Sequence, residues 1–165
     1  MTRKITALLI TLSCIFAFAA CQSTPDVETN YTAKEVMDKV KASMTDLPEF
    51  KEADMSNDEW KDILFYVTDV ATDKVKDIDY LYMTNNTADE LCVMVMADED
   101  SAKEVVEDMD HRIEVQKNYF ESYNTEELSK LDGACAVRSG KVCIMLIGNQ
   151  AQNGKYEFDK MMKDN

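Results

Sequence analysis

The sequence predicts an α+β domain in which an antiparallel sheet of four strands packs with helices. Apolar residues recur at helical spacing in several segments, whereas two segments, 75–97 and 134–147, have the composition of paired strands. The predicted order is α-α-β-β-α-α-β-β-α, in a single domain spanning 31–165. Because hairpins alternate with groups of helices, an antiparallel sheet is favoured over parallel βαβ units, and we expect the helices largely on one face.

Two helices are predicted first in this order. Thr32 to Glu35 is a capping box, which opens a helix that ends at Leu47-Pro48. Ser56 to Glu59 is a second capping signature, and apolar residues at helical spacing follow it to Val67. Both helices are therefore amphipathic, with one face available for a core.

The first predicted hairpin runs from Val75 to Ala97, with its turn near Asn85-Asn86. Both faces of this hairpin are largely apolar, although an antiparallel sheet normally exposes one face to water. Either helices cover both faces or one face contacts a partner. If Tyr82 pairs near Leu91, one face contains Ile78, Tyr80, Tyr82, Leu91, Val93 and Val95, and the other contains Leu81, Cys92, Met94 and Met96.

The second half of the chain repeats the alternation of helices and a hairpin. Acidic residues at Asp98 to Asp100 favour a helix start there, because the first turn is the positive end of the helix dipole. The predicted elements are a long helix from Asp98 to about Tyr123, a short helix at 126–131 stopped by Gly133, strands at 134–137 and 142–147 with a turn at Ser139-Gly140, and a final helix at 150–162.

The N-terminus has the pattern of a bacterial lipoprotein signal. A basic start is followed by an apolar stretch, Ile5 to Phe18, and then by Ala19-Ala20-Cys21. We therefore predict a signal peptide at 1–20 and a lipidated cysteine with a polar linker at 21–30. Fatty acyl chains such as palmitate on Cys21 would hold the domain at the extracytoplasmic face of the cell membrane.

Two other interpretations of this segment remain open. An uncleaved transmembrane helix needs about 20 apolar residues, more than this stretch provides. An ordinary secretory signal cut near Ala20 would release the protein without an anchor. The cysteine directly after two alanines favours the lipoprotein interpretation over both.

The charge of the chain limits its partners. The formal net charge is -14, and loss of Arg3 and Lys4 with the signal peptide would take away two positive charges and give -16. Such a surface is repelled by phosphate backbones and anionic lipids, so nucleic acid is excluded as an expected partner. Cationic peptides, metal ions and basic protein domains are electrostatically permitted.

Three cysteines besides Cys21 remain in the mature chain: Cys92, Cys135 and Cys143. An odd count does not make a complete disulfide framework. A two-residue turn places Cys135 and Cys143 on opposite sheet faces, whereas a bulged turn would bring them to one face. We expect buried free thiols, with a soft Cu(I) site built from the cysteines and methionines as the alternative.

Several short strings of the mature chain form one pattern: Ala88-Asp89-Glu90-Leu91, Asp98 with Ser101-Ala102, Arg112, Gln116, Phe120 and Tyr123, Leu131, and Gly140-Lys141-Val142. In this pattern the chain, from about Tyr31 onward, resembles small lipoproteins of anaerobic Firmicutes that carry the domain of unknown function 4358. It departs from them at Asn124-Thr125, where relatives often have a proline-bearing turn. The resemblance implies a lipoprotein and a single-domain fold, and implies no activity, cofactor or partner.

Arg112 and Gln116 are the candidate polar group of the long helix. They share one face with Phe120 and Tyr123, because steps of three and four residues return to the same side. The structural interpretation, which we favour, ties this helix to backbone carbonyls; the functional one presents the Arg112 fork to a ligand carboxylate. His111, the only histidine, is expected at the surface.

No catalytic, cofactor or metal motif stands out in the sequence. A zinc site would lack a second histidine or a CxxC pair, and no serine has a nucleophile-elbow context. We therefore expect a membrane-anchored, non-enzymatic envelope domain without cofactor or metal that binds a protein or peptide. A lipoprotein that binds a small ligand or a metal ion is the alternative.

Overall fold

A computed structural model describes residues 30–164. The predicted signal peptide, the proposed lipidation site Cys21 and nearly all of the linker lie outside the described residues. The helices are α1 (Ala33–Ala42), α2 (Glu59–Leu64), α3 (Glu99–Tyr123), α4 (Leu128–Leu131) and α5 (Ala151–Lys163), with 3-10 turns at Thr72–Lys74 and Thr125–Glu127. None of the helices within 30–164 has the length and apolar character needed to cross a bilayer.

Two of the predicted helix starts agree with the caps in the structure. The Thr32 hydroxyl accepts a hydrogen bond from the Glu35 backbone amide, and the Glu35 carboxylate accepts one from the Thr32 amide, which completes the capping box. The Asp98 carboxylate caps α3 by accepting from the Ser101 amide. Helix α1 ends at Ala42, five residues before the predicted Leu47-Pro48. The second capping signature, Ser56 to Glu59, was wrong: the N-cap of α2 is Asp58, and the Glu59 amide donates to Asn57 Oδ1 rather than to Ser56.

The sheet has five antiparallel strands, not the predicted four. The additional strand, β1, pairs with β2 at the edge of the sheet, so the predicted element order was wrong between the first two helices. Strand β1 was missed because its sequence, KEAD, is polar and buries only Ala53. The strands are β1 (Lys51–Asp54), β2 (Val75–Tyr82), β3 (Glu90–Met96), β4 (Cys135–Ser139) and β5 (Val142–Ile147), in the spatial order β1-β2-β3-β5-β4.

The register of β2 on β3 differs from the predicted one by a single residue. Tyr80 lies opposite Cys92 and Ile78 opposite Met94, whereas the predicted pairing placed these residues on opposite faces. A shift of one residue moves every side chain of a strand to the other face. Because both faces of this hairpin are apolar, the sequence pattern does not specify the register.

Helices cover both faces of the sheet, which corrects the expectation of helices largely on one face. Helix α3 packs on one face with a core that contains Tyr80, Cys92 and Met94. Helices α1 and α5 pack on the other face, over Leu81 and Leu91. The apolar character of both faces therefore follows from burial against helices rather than from an open sheet.

The β4–β5 hairpin turns at Gly140-Lys141, one residue later than predicted. Gly140 has a φ of 54°, in the left-handed region that glycine adopts without strain. Cys135 lies opposite Leu146 and Cys143 lies opposite Arg138, so the two cysteines are on opposite faces, as a two-residue turn predicts. Both are free thiols in the structure, as is Cys92.

Candidate functional site

Arg112 and Gln116 meet a buried carboxylate at the start of β3. The Glu90 side chain accepts hydrogen bonds from Arg112 Nε at 3.1 and 3.2 Å and from Arg112 Nη2 at 2.9 Å. Gln116 Nε2 donates to the same carboxylate at 2.9 Å. Glu90 is only 3% exposed, so this is a charge-assisted contact removed from water.

Tyr80 completes the network from the neighbouring strand. Its hydroxyl donates to Glu90 Oε1 at 2.7 Å. Burial raises the pKa of Tyr80, and the adjacent Glu90 carboxylate raises that pKa further. The phenol therefore stays a neutral donor, and Glu90 receives hydrogen bonds from three side chains that belong to β2 and α3.

The structure identifies the hydrogen-bond partner of Arg112 and Gln116. The helix face that the sequence indicated does bring Arg112 and Gln116 together, but their shared partner is a side chain rather than a backbone carbonyl. Sequence reasoning missed Glu90 as that partner. The available signal was an acidic residue at the start of a strongly apolar strand, because a buried charge needs a partner.

A second ionic contact holds the residues just before β3. Lys130 Nζ lies 2.6 Å from Asp89 Oδ2 and 2.9 Å from Glu127 Oε2. The Glu127 carboxylate also accepts from the Ala88 backbone amide at 2.8 Å. Charged side chains from the segment after α3 therefore hold the residues that precede β3 in place.

Two cavities share Arg112 as a lining residue. The smaller, about 130 Å³, is bounded by the segment after α2 and by one side of α3. The larger, about 230 Å³, is bounded by Tyr80, Tyr82, Glu90 and Gln116. Arg112 and Tyr66 line both cavities, and Glu90, the partner of Arg112, lines only the larger one.

Exposed apolar side chains surround this part of the surface. Phe65 and Tyr66 are 60% and 52% exposed, with ring centroids 4.1 Å apart. The rings of Tyr119 and Tyr123 lie 4.8 Å apart at their centroids along α3, tilted by 31°, and the Tyr119 hydroxyl donates to Asn86 Oδ1 at 2.6 Å. Val115 lies between the two pairs, because residues four apart share a helix face. We call the set Phe65, Tyr66, Val115, Tyr119 and Tyr123 the aromatic surface.

His111 lies exposed at the rim of the smaller cavity, together with Asp69 and Asp108. The Thr68 hydroxyl donates to Asp108 Oδ2 at 2.5 Å, so this carboxylate is held by a neutral donor. Within residues 30–164, no group of three or more histidine, cysteine, aspartate and glutamate side chains has the geometry to hold a metal ion.

The cysteines occupy sites that keep them protonated. Burial raises the pKa of Cys143 to about 12 and that of Cys135 to about 11, and it raises the pKa of Cys92 well above the ordinary value. Cys143 Sγ donates to the Ala102 carbonyl at 3.3 Å. Since the thiolate is the metal ligand and the nucleophile, these residues are placed as core side chains.

The comparison with protein families finds one match over most of this architecture. Residues 49–148 match the model described as Domain of unknown function (DUF4358), a range that runs from just before β1 to just after β5. It includes Glu90, Arg112, Gln116 and the whole aromatic surface. The comparisons with curated proteins and with solved structures find no match. The matched range covers more than half of the sequence, and the chain belongs to the DUF4358 family.

Proposed function

We propose that this chain is a lipid-anchored lipoprotein of the extracytoplasmic face of the cell membrane, whose domain binds a protein or peptide partner through the aromatic surface. Support for the anchor comes from the sequence alone, in the small residues and cysteine that follow the apolar N-terminal stretch. Acyl chains on Cys21 would keep the domain within a linker length of the bilayer, where envelope proteins and peptides are its neighbours.

The observation on which the binding proposal rests is the aromatic surface. Five of the seven large hydrophobic side chains that are exposed in residues 30–164 belong to it. Phe65, Tyr66 and Val115 line one cavity, and Tyr119 and Tyr123 follow Val115 along the same face of α3. Contiguous exposed apolar patches of this kind mark interaction sites, and tyrosine is enriched in them. Both sheet faces are already covered by helices, so this surface is not an unfinished core.

Charge indicates what kind of partner fits. The whole chain has a net charge of -14 at pH 7, so a basic protein or peptide segment is attracted and an acidic one repelled. Around the aromatic surface the one cationic side chain that lines the cavities, Arg112, is already paired with Glu90. The proposed partner therefore presents a basic, partly apolar segment.

The size of the cavities favours a macromolecular partner over a small ligand. Small-molecule sites typically enclose about 300–1,000 Å³, whereas the two cavities here hold about 130 and 230 Å³. Each suits one inserted side chain better than a whole ligand. The larger cavity supports the second candidate, a small polar ligand, because Tyr80, Glu90 and Gln116 line it. We propose no enzymatic activity.

Site-specific photo-crosslinking tests the binding proposal. A crosslinking amino acid replaces Val115 of the full-length protein in its own membrane, and the matched control replaces Tyr156, which is 70% exposed on α5. We expect a defined protein or peptide to crosslink at Val115 and not at Tyr156. The purified partner must then bind the chain, with affinity lowered at least about tenfold by Phe65→Ser combined with Tyr66→Ser. Equal crosslinking at both positions, or unchanged affinity in the variant, contradicts the proposal.

Mass spectrometry of the membrane fraction tests the anchor separately. We expect acyl chains on Cys21, and release of the Cys21→Ser protein from the membrane. An unmodified Cys21 thiol in membrane-bound protein would contradict the anchor and leave the aromatic surface untouched.

A further inference from the structure

We infer that the smaller cavity beside Arg112 binds one cationic side chain, a lysine or arginine, of the partner. This inference rests on the proposed function and names the chemistry that the aromatic surface recognises. The walls of this cavity combine aromatic rings with carboxylates that have no cationic partner within residues 30–164, and an ammonium or guanidinium group requires this combination.

The aromatic wall is formed by Phe65 and Tyr66. Their rings are 4.1 Å apart at the centroids and tilted by 34°, and both lie more than half exposed at the cavity. A cation within about 6 Å of a ring centroid is attracted by the negative face of the ring. Val115 also lines the cavity and adds an apolar contact suited to the aliphatic stem of a lysine or arginine.

The carboxylates are Asp69 and Asp108. Neither forms an ion pair with another residue in the described part of the chain, and Asp108 is held by the Thr68 hydroxyl. Arg112 also lines the cavity, but Nε and Nη2 both donate to Glu90, so its positive charge is compensated. The two carboxylates therefore give the cavity a negative charge that Arg112 does not compensate.

The volume and the setting make this a site for one head group. About 130 Å³ is too small for a typical ligand site, and the opening lies within the aromatic surface, where a partner segment would pass. An acidic side chain would meet two carboxylates, and an apolar one would remove Asp108 from water without a new partner. A lysine or arginine pairs both carboxylates and stacks on both rings.

A tripeptide titration followed by NMR tests the inference. The probe is N-acetyl-Gly-Arg-Gly amide, and its control contains citrulline, which has the shape of arginine without its charge. The protein is the chain from residue 21 with Cys21→Ser, which is the mature sequence without acyl chains. We expect the arginine peptide to shift the backbone amides of residues 65–69 and 108–115, and the citrulline peptide to leave them within error.

Two variants with the same change in net charge locate the effect. Asp69→Asn with Asp108→Asn should weaken binding of the arginine peptide about five- to tenfold, as expected for loss of two partly exposed charge contacts. Asp110→Asn with Glu114→Gln removes two exposed carboxylates of α3 outside the cavity and should change the dissociation constant less than twofold. Phe65→Ala should weaken binding about threefold through loss of the cation–π contact.

Equal shifts from the citrulline peptide, or equal weakening by the two double variants, would overturn the inference, since the attraction would then be nonspecific. That failure is separable from failure of the proposed function. If a partner crosslinks at Val115 but binds equally well to the Asp69→Asn, Asp108→Asn variant, the cation site is refuted and the proposed role of the aromatic surface stands. Loss of both results removes both proposals.

Discussion

Two buried carboxylates on neighbouring strands, Glu90 on β3 and Asp79 on β2, have opposite surroundings. Glu90 is 3% exposed and accepts hydrogen bonds from Tyr80, Arg112 and Gln116. Asp79 is 1% exposed, and neither of its carboxylate oxygens has a hydrogen-bond partner among the described residues. Glu90 lies on the face that α3 covers, and Asp79 lies on the face that α1 and α5 cover.

The charges around Asp79 add to the contrast. The pKa of Asp79 is raised to about 6, first by burial and then by the nearby Glu52 carboxylate, whereas Lys34 acts in the opposite direction. Asp38 on α1 and Asp54 on β1 also raise it. An acidic side chain in an apolar strand is therefore satisfied where the covering helix supplies donors, as at Glu90, and carries an uncompensated cost of burial where no described residue does, as at Asp79.

The largest expected effect comes from breaking the Glu90 network. Arg112→Ala leaves a buried carboxylate without its cation, so the free energy of unfolding should fall by about 3–5 kcal/mol. Urea unfolding followed by circular dichroism measures it. The matched control is Lys117→Ala on the same helix, whose contact with Glu114 is exposed and should contribute about 0–1 kcal/mol.

A double variant distinguishes loss of the Glu90–Arg112 ion pair from the cost of leaving one buried charge unpaired. Glu90→Gln with Arg112→Gln removes both charges and should lose clearly less than Arg112→Ala alone, because no unpaired charge stays buried. Equal losses in the two proteins would show that Arg112 acts through packing of its stem and not through Glu90.

Neutralising Asp79 should have the opposite sign. Asp79→Asn removes a carboxylate whose pKa is raised to about 6 in the folded state from 3.8 as its ordinary value. The folded protein binds the Asp79 proton more tightly than the unfolded chain does. Asp79 therefore does not lower the free energy of unfolding below pH 3.8, and it lowers it increasingly as the pH rises toward 6. At pH 8 the variant should gain about 1–3 kcal/mol in unfolding free energy.

The pH dependence provides the control for Asp79→Asn. Its gain over the natural sequence should shrink toward zero near pH 4, where Asp79 is protonated in the folded protein. The exposed Asp38→Asn variant, on α1, should show a much smaller gain at pH 8. A gain for Asp79→Asn that is equal at pH 4 and pH 8 would contradict a buried ionised carboxylate as the cause.

The sequence could predict what local patterns determine. The capping box at Thr32, the cap at Asp98 and the span of α3 follow from residues close together in the chain, and the structure agrees. Strand β1 could not be predicted, because a four-residue polar edge strand has no apolar alternation. The β2–β3 register could not be predicted either, since helices bury both faces and either register satisfies the pattern.

The candidate site was predictable only in part, for a similar reason. The helical spacing of Arg112 and Gln116 places them on one face, which requires only the period of the helix. Their partner Glu90 is 22 residues away from Arg112, on a strand whose register the pattern left open. The aromatic surface joins the segment after α2 to α3, and such a contact depends on tertiary packing over one face of the sheet rather than on spacing.

The α1–α5 contact offers a second, smaller test on the Asp79 face. A Cβ added at Gly154 would lie 2.8 Å from a methyl carbon of Leu146 and 3.0 Å from one of Val40. Gly154→Ala should therefore cost about 1–2 kcal/mol, because overpacking outweighs the gain in helix propensity. Gly133→Ala, where nothing lies within 4 Å of the added atom, is the control and should change stability little. Urea unfolding of both variants decides whether the α1–α5 face is packed this tightly.

The smallest expected effect on stability comes from substitutions in the aromatic surface, and a small effect is what a binding surface predicts. Phe65→Ser and Tyr123→Ser remove side chains that are 60% and 73% exposed, so each should change the unfolding free energy by no more than about 0.5 kcal/mol. A core residue of similar size, Phe120, is 2% exposed and should lose about 3–5 kcal/mol as Phe120→Ala. If Phe65→Ser proved as destabilising as a core substitution, the ring would belong to the fold, and its exposure would no longer indicate a partner. Stability retained together with lost partner binding is what distinguishes a recognition surface from a structural one.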